Sequence, residues 1–367
     1  MFIFVPFNCN SLFNMRRLNL ILTSLAISLF VYGSCTPTKN DPQTPEQPEQ
    51  PDQPEKPDQH EEDWSWVNGY PKGVTVEEFE DTFTDGQKCL GYIATIDFKA
   101  NPNLTFNCML SKSKKKPTEF FSSFSDNSTQ ACLAINAGYF SGSTSVSMCI
   151  HQGKVKQRAW PSFNWPNDEN AQTVIYPVRS AIGQNRDGSF EIHWAYCTNV
   201  SMAEHTAFPS ALDNNEKTQT FMSAPPAADY CEGTFTWEPY EAVGAGPRLV
   251  QDGRDVAVEN YWAECLDAGG TSGLIRVNRT AAGYTADGKL ILIVADGRGS
   301  RGSAGFTLSE LAQKFISLGC TDAINLDGGG STCMVGSDGE ILNRPSDAAG
   351  ERSVSTAIVI AETRRRS

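Results

Sequence analysis

The run from Lys289 to Val335 restricts the fold more than any other part of the chain. It opens with an apolar segment, KLILIVA (289–295), that stops at Asp296-Gly-Arg298. A glycine and serine loop (GSRGSAGF, 299–306) follows, and a second apolar segment, Ala323 to Leu326, stops at Asp327-Gly-Gly-Gly330. Between the two, Thr307 and Glu310 have the spacing of a capping box. Leu308, Leu311, Ala312, Phe315 and Leu318 recur at helical period, and Gly319 is placed to end the helix. The spacing therefore predicts strand, helix, strand, with strand resuming over Ser331–Val335.

A strand-helix-strand unit runs its two strands parallel, so their C-terminal ends, and with them Asp296 and Asp327, are expected on one rim. Ligands gather in the crevice at such ends of open α/β sheets. Gly328, Gly329 and Gly330 lack a Cβ and leave the main chain bare, so a ligand could reach their amides. A lone D-G-G-G is an ordinary turn signal, and only its surroundings make it a site. One more strand, Ala131–Ile135, ends in Asn136-Ala-Gly-Tyr-Phe140, which would bring Asn136 and Gly138 to the same rim if the sheet is shared.

The rest of the chain is less regular. Residues 64–129 read as strands broken by turns, with Lys112–Lys116 as a solvated basic loop. Thr173–Val178, Phe190–Ala195 and Leu274–Val277 read as short strands, and the aromatics between 160 and 240 as core side chains, with sugar stacking as the alternative for any that are exposed. The fold class expected is α+β, a mixed β-sheet core with a few packed helices, including the strand-helix-strand unit near 289–335.

The ends carry a different signal. Arg16 and Arg17 precede a short apolar segment, Leu18 to Tyr32, and Gly33-Ser34-Cys35 resembles a bacterial lipobox in which Cys35 is lipidated, with Met15 as an alternative start. Residues 36–63 repeat Pro with Glu, Asp and Gln, a composition that cannot bury a core and favours an extended tether. The organisation expected is a signal over 1–35, a tether over 36–63, a β-rich part over 64–129 and a main domain over 130–362. It places the protein in a bacterial cell envelope, held to a membrane by an N-terminal lipid. The formal charge of −13 speaks against a nucleic-acid partner, and the tether, with nine acids and two bases, carries −7 of it.

Chemistry that needs a dedicated metal cluster finds little support. The nine cysteines from Cys89 to Cys333 form no CxxC pair, and the four histidines form no HExxH pattern. No cofactor is expected, although calcium remains compatible with Asp and carbonyl oxygens. Two carboxylates with an amide and basic side chains suit cleavage at an anomeric carbon. Arg279 and Arg298 add guanidinium forks that match phosphate bidentately, although for either one alone a surface or salt-bridge role is the commoner outcome.

The motifs NAGYF (136–140), GAGPRLVQDG (244–253), RTAAG (279–283), ADGR (295–298), GFTLSELAQKFISLGCTDAINLDGGGST (305–332) and ERSVSTAIVI (351–360) together resemble the phosphodiester glycosidase domain family over about residues 130–360. The resemblance implies hydrolysis of a sugar-1-phosphodiester, GlcNAc-1-phosphodiester-like, at the glycosidic bond, freeing the sugar and leaving a phosphomonoester. By matched motif it implies Asn136, Gly138, Arg279, Asp296, Arg298, Asp327, Gly328, Gly329 and Arg352 as site residues, with Gly330 in the same turn. Asp327 is expected as acid/base, Asp296 as its support or a substrate-positioning group, and Arg279 as a phosphate contact. Cys333 in the glycine hairpin, Ala282 in RTAAG and the unaligned 64–130 depart from the pattern. Two other readings stay open: a surface glycan-binding lipoprotein without turnover, and a phosphodiesterase that cleaves P–O.

Overall fold

The computed structural model describes residue 66 and residues 68–364, apart from 166–172 and 268–271. The expected signal, Cys35 and tether all lie outside the described residues. Among the described residues, three larger antiparallel β-sheets, two two-stranded ones and three α-helices build the body.

The first sheet has seven strands in the order Val74–Thr82, Lys88–Ile96, Leu290–Ala295, Arg279–Thr285, Cys320–Asn325, Arg248–Gln251 and Arg254–Asp255. The fully apolar LILIVA is explained by burial on both faces. Leu290, Leu292 and Val294 point into the central core, whereas Ile291, Ile293 and Ala295 meet the helix Leu308–Ser317. Such two-sided burial is commoner in parallel sheets, and here helices on one face and further sheets on the other produce it in an antiparallel one. Leu308, Leu311, Ala312 and Phe315 of the helix are fully buried. Its capping box is formed as expected: Thr307 Oγ1 accepts from the Glu310 amide at 3.1 Å, and Glu310 accepts from the Thr307 amide at 2.9 Å.

Leu290–Ala295 and Cys320–Asn325 each pair antiparallel with Arg279–Thr285, which lies between them. The two therefore run parallel to one another, and both C-terminal ends reach the edge where Arg279–Thr285 begins. Arg279 thereby joins Asp296 and Asp327 at one end of the sheet.

The second sheet orders Met334–Val335, Thr129–Asn136, Val354–Thr363 and Leu104–Lys115. The third orders Phe235–Thr236, Glu204–Phe208, Phe190–Asn199, Arg179–Gln184, Glu241–Gly244, Cys149–His151 and Lys154–Gln157. All three sheets feed one core, in which Ile324 and Leu292 of the first meet Leu133 and Ile358 of the second and Ile182 and Val243 of the third. The N-terminal β-rich segment is woven into this body, since Lys88–Ile96 pairs with Leu290–Ala295 and Leu104–Lys115 with Val354–Thr363.

The fold differs from the sequence reading in four places. Sheet dominates, and the described residues hold only the helices Pro117–Phe124, Ala257–Ala263 and Leu308–Ser317, so the mixed α+β class is leaner in helix than expected. Lys112 to Lys115 belong to the strand Leu104–Lys115, because that edge pairs with Val354. Leu274–Val277 forms no strand, only an isolated antiparallel bridge of Val277 with Phe306, because the Ile275 carbonyl turns onto Arg279. The chain after Asp327 makes a 3-10 turn, Gly329–Ser331, before the short strand Met334–Val335. The nine described cysteines are unpaired, and all but Cys231 are buried.

Candidate active site

A cleft of about 400 Å³ opens at the sheet edge where Arg279–Thr285 begins and Cys320–Asn325 ends. Asp327, Gly328, Gly329, Gly330, Arg279, Arg298 and Arg352 line it, together with Arg179 from the third sheet. An aromatic side is formed by Tyr139, Phe140, Trp160 and Phe163.

Asp327 is the one carboxylate among the described lining residues. Burial, which disfavours the charged form, pushes its pKa up to about 6, against the opposing pull of the Ser331 hydroxyl, the Arg352 charge and the Gly328 amide. Its backbone is clamped from both sides. The Asp327 amide donates to the Ala137 carbonyl at 2.8 Å, and the Asp327 carbonyl accepts from Asn136 Nδ2 at 2.5 Å.

Arg279 is 2% exposed, yet lines the cleft. Its Nε donates to the Phe306 carbonyl at 3.0 Å, and its Nη2 to the carbonyls of Ser272 and Ile275 at 3.0 and 3.1 Å. The segment expected as a strand at 274–277 instead wraps this guanidinium, and that leaves Leu274 and Ile275 side chains exposed. Burial lowers the Arg279 pKa to about 10, which still leaves it charged at neutral pH.

The glycines do something other than bare their amides to a ligand. The Gly329 amide is taken by the Asn278 carbonyl at 3.0 Å, and the Gly328 amide is turned to Asp327. At Gly329 and Gly330 the room that the missing side chain leaves is occupied by arginines, and at Gly328 by the Asn278 carbonyl. A Cβ on Gly330 would fall 2.1 Å from Arg352 Nη2 and 2.3 Å from Asp347 Oδ1, and one on Gly329, at φ +58°, would fall 3.1 Å from Arg298 Nη2. Arg352 is held in place by Asp347, with Nε to Oδ2 at 2.8 Å.

The other expected residues are placed differently. Asp296 reaches the same sheet edge as Asp327 but does not line the cleft. Its carboxylate is fully buried, with Oδ1 accepting from the Arg344 amide at 2.9 Å and from Asn343 Nδ2 at 3.1 Å, and Oδ2 3.5 Å from Arg301 Nη1. Burial raises its pKa, opposed by those same two donors. Asn136 is also fully buried behind the cleft. It bonds the Asp327 carbonyl and accepts at Oδ1 from Thr280 Oγ1 at 2.7 Å and the Cys333 amide at 3.1 Å. Gly138 is a packing position, because a Cβ there would fall 2.7 Å from both the Gly244 carbonyl oxygen and Ser147. Asn136 and Gly138 thus shape the backbone around Asp327 without facing the cleft.

Among the lining residues left unassigned in the sequence are Asn325, Tyr139 and Arg179. Asn325 lies two residues before Asp327, and the period of two in a strand is a signal that could have placed it on the same face. Its Nδ2 donates to the Tyr139 hydroxyl and to the Gly246 carbonyl, each at 3.0 Å, while the Tyr139 hydroxyl donates to Gly246 at 2.6 Å. Burial pushes the Tyr139 phenol well above its ordinary value, so it keeps its proton. Arg179, in Pro-Val-Arg-Ser, has no local motif to mark it.

Comparison with known proteins fits these features. Residues 198–361 match the family model described as phosphodiester glycosidase. Over 127 residues the chain is 34% identical to the bovine and 33% to the human N-acetylglucosamine-1-phosphodiester alpha-N-acetylglucosaminidase. Each match covers 32% of this chain and 24% of the relative, so the chain spans about a quarter of those proteins. Among solved structures it resembles the catalytic domain of the zebrafish enzyme of the same name, auto-inhibited by its pro-peptide. The TM-score is 0.52 at 17% identity, covering 80% of this chain and 83% of that one. A hypothetical protein from Synechocystis gives a TM-score of 0.50 at 19% identity, covering 79% and 62%. At these identities the structural likeness speaks for the fold, and the family assignment rests on the sequence matches. Residues 198–361 of the chain therefore match the phosphodiester glycosidase family.

Proposed function

We propose that this protein hydrolyses the glycosidic bond of a sugar-1-phosphodiester of the GlcNAc-1-phosphodiester type. The observation that carries the reading is a single carboxylate, Asp327, in a cleft that four arginines also line, with burial holding its pKa near 6. A phosphomonoester is already a good leaving group when its charge is met by guanidinium forks, so the carboxylate is best used on water. In this mechanism Asp327 in its charged form takes a proton from water, and the water oxygen bonds to the sugar C1. The C1–O bond breaks, and its electron pair stays on the phosphate oxygen, facing Arg279, Arg298 and Arg352. Asp296 acts from behind, holding the segment at Asn343 and Arg344. The proposal includes no metal or cofactor.

Incubation of the protein with α-GlcNAc-1-phosphodiesters in ¹⁸O-water, with and without chelator, tests it. Free sugar labelled at C1 and insensitive to chelator is the expected result. Label on phosphate would mean P–O cleavage, and tight sugar binding without release from any donor would mean a binding protein.

We also read residues 1–63 as a lipoprotein signal and tether that carry this domain on a bacterial envelope membrane. Metabolic labelling with radioactive palmitate tests this, and label that persists in Cys35→Ala would sink it.

A further inference from the structure

Arg179 begins a strand of the third sheet, whereas Arg279, the expected phosphate contact, begins a strand of the first. Both line the same cleft, and Tyr139 on its floor feels the charge of both. One edge of the Arg179 guanidinium is fixed, with Nε donating to the Glu264 carbonyl at 3.1 Å and Nη2 to the Cys265 carbonyl at 2.7 Å. One face is covered by Phe163, whose ring centre lies 4.6 Å away. A guanidinium has five N–H donors, and these contacts use two. Nη1 has no protein partner among the described residues, so the end of the fork remains available on the cleft side. No carboxylate among the described residues bonds Arg179 either. The nearby Glu264 carboxylate is spent on Ser180, Trp194 and the Arg248 amide.

An arginine fixed by carbonyls and an aromatic plate, with no carboxylate bonded to it among the described residues, is preorganised for a planar or tetrahedral oxyanion. A purely structural tie between Arg179 and the 264–265 turn would not require the side chain to line the cleft. We propose that Arg179 is a specificity-determining residue of this cleft, a second phosphate-binding arginine that closes on the phosphoryl oxygens from the side opposite in chain origin to Arg279. The inference rests on the reading of the cleft as a sugar-1-phosphodiester site. It assigns to Phe163 the role of positioning Arg179.

Calorimetric titration of the full chain with GlcNAc-1-phosphate, inorganic phosphate and free N-acetylglucosamine tests it, alongside phosphodiester turnover. Arg179→Gln is expected to weaken GlcNAc-1-phosphate and phosphate about 10- to 100-fold, as for loss of a charge-assisted pair, and to raise KM more than it lowers kcat. Arg179→Lys, which keeps the charge and loses the fork, falls between. Phe163→Leu leaves Arg179 in place and covers the case in which Arg179→Gln does not fold; it is expected to weaken phosphate several-fold with free sugar unaffected. If the wild type binds or cleaves the phosphorylated ligand and Arg179→Gln, or Phe163→Leu where the former is unfolded, does so equally well, the inference falls and the functional reading stands. If the wild type neither binds any phosphorylated ligand nor cleaves, both fall.

Discussion

Asn136 holds the main chain of Asp327: its Nδ2 lies 2.5 Å from the Asp327 carbonyl oxygen across 191 residues of sequence. The same amide accepts from Thr280 and from Cys333, so one buried side chain joins a strand end of the second sheet to the first sheet and to the turn after Asp327. Its role is to fix the position of the carboxylate.

Replacing Asn136 by Ala leaves the Thr280, Cys333 and Asp327 groups without a partner. At ~1–3 kcal/mol for each buried polar group left unsatisfied, a loss of at least about 3 kcal/mol is expected. Urea unfolding checks the loss, and stability within 1 kcal/mol of wild type would remove this bridge from the account.

Asp327→Asn removes the proposed base but keeps the shape. Turnover is expected to fall by about 10³-fold or more, comparable to the upper part of the range for general acid–base groups. Stability is expected to move the other way. The folded-state pKa of Asp327 is raised from 3.8 to about 6, so the folded protein holds this proton more tightly than the unfolded chain. Stability from that proton is therefore complete below about pH 4 and is lost as pH rises to about 6. At ~1.4 kcal/mol per unit, the charged form costs about 3 kcal/mol above pH 6. The Asn variant is expected to melt higher than wild type at pH 7.5 and to lose most of that advantage at pH 4.

If Asp327 works as a base, kcat/KM rises with pH through about 6, where the carboxylate loses its proton, and then levels. A profile that falls through pH 6 would make Asp327 a proton donor and overturn the assignment of water activation to it.

Gly330→Ala places a methyl where Arg352 Nη2 and Asp347 Oδ1 now lie. Gly330 is itself buried, but both are side-chain ends that can swing away, so stability is expected to change by less than about 1 kcal/mol. The displaced Arg352 is expected to raise KM for the phosphodiester about tenfold while the melting curve stays in place.

Thr307→Ala deletes the helix cap on the far side of the sheet from the core. A cost of about 1 kcal/mol is expected, with kcat unchanged, since Thr307 does not line the cleft; a chevron or melting series beside turnover assays separates the two.

The sequence carried the local half of this architecture. The double-faced apolar run 290–295 and the Thr307–Glu310 box are short-range signals, and both elements formed where the pattern placed them. The insertion of Arg279–Thr285 between two parallel strands depended on pairings between distant segments, which local periodicity does not encode. Asp296 and Asp327 looked alike because each ends an apolar strand at Asp-Gly. They part company through partners such as Asn343 and Arg344, which lie nearly fifty residues after Asp296 and capture its carboxylate. The glycines after Asp327 were legible as special, but the reason was not, since Arg298 and Arg352 reach them from other loops. Arg179 reaches the cleft only through the third sheet, and no nearby residue announces it.

The pairing of Leu104–Lys115 with Val354–Thr363 bears on the order of events in folding. Asn107 Nδ2 meets the Val359 carbonyl over 252 residues, and Val354–Thr363 also pairs with Thr129–Asn136, the strand that presents Asn136 to Asp327. Loops of that length close slowly, and contacts so far apart in sequence form late. During synthesis Val354–Thr363 follows every other described strand, so a nascent chain can complete its helix and hairpins while the cleft is still unassembled. The cleft will then be assembled in a single late step, once Val354–Thr363 has paired, and a chain lacking that one strand will leave the cleft unbuilt although every residue that lines it is present.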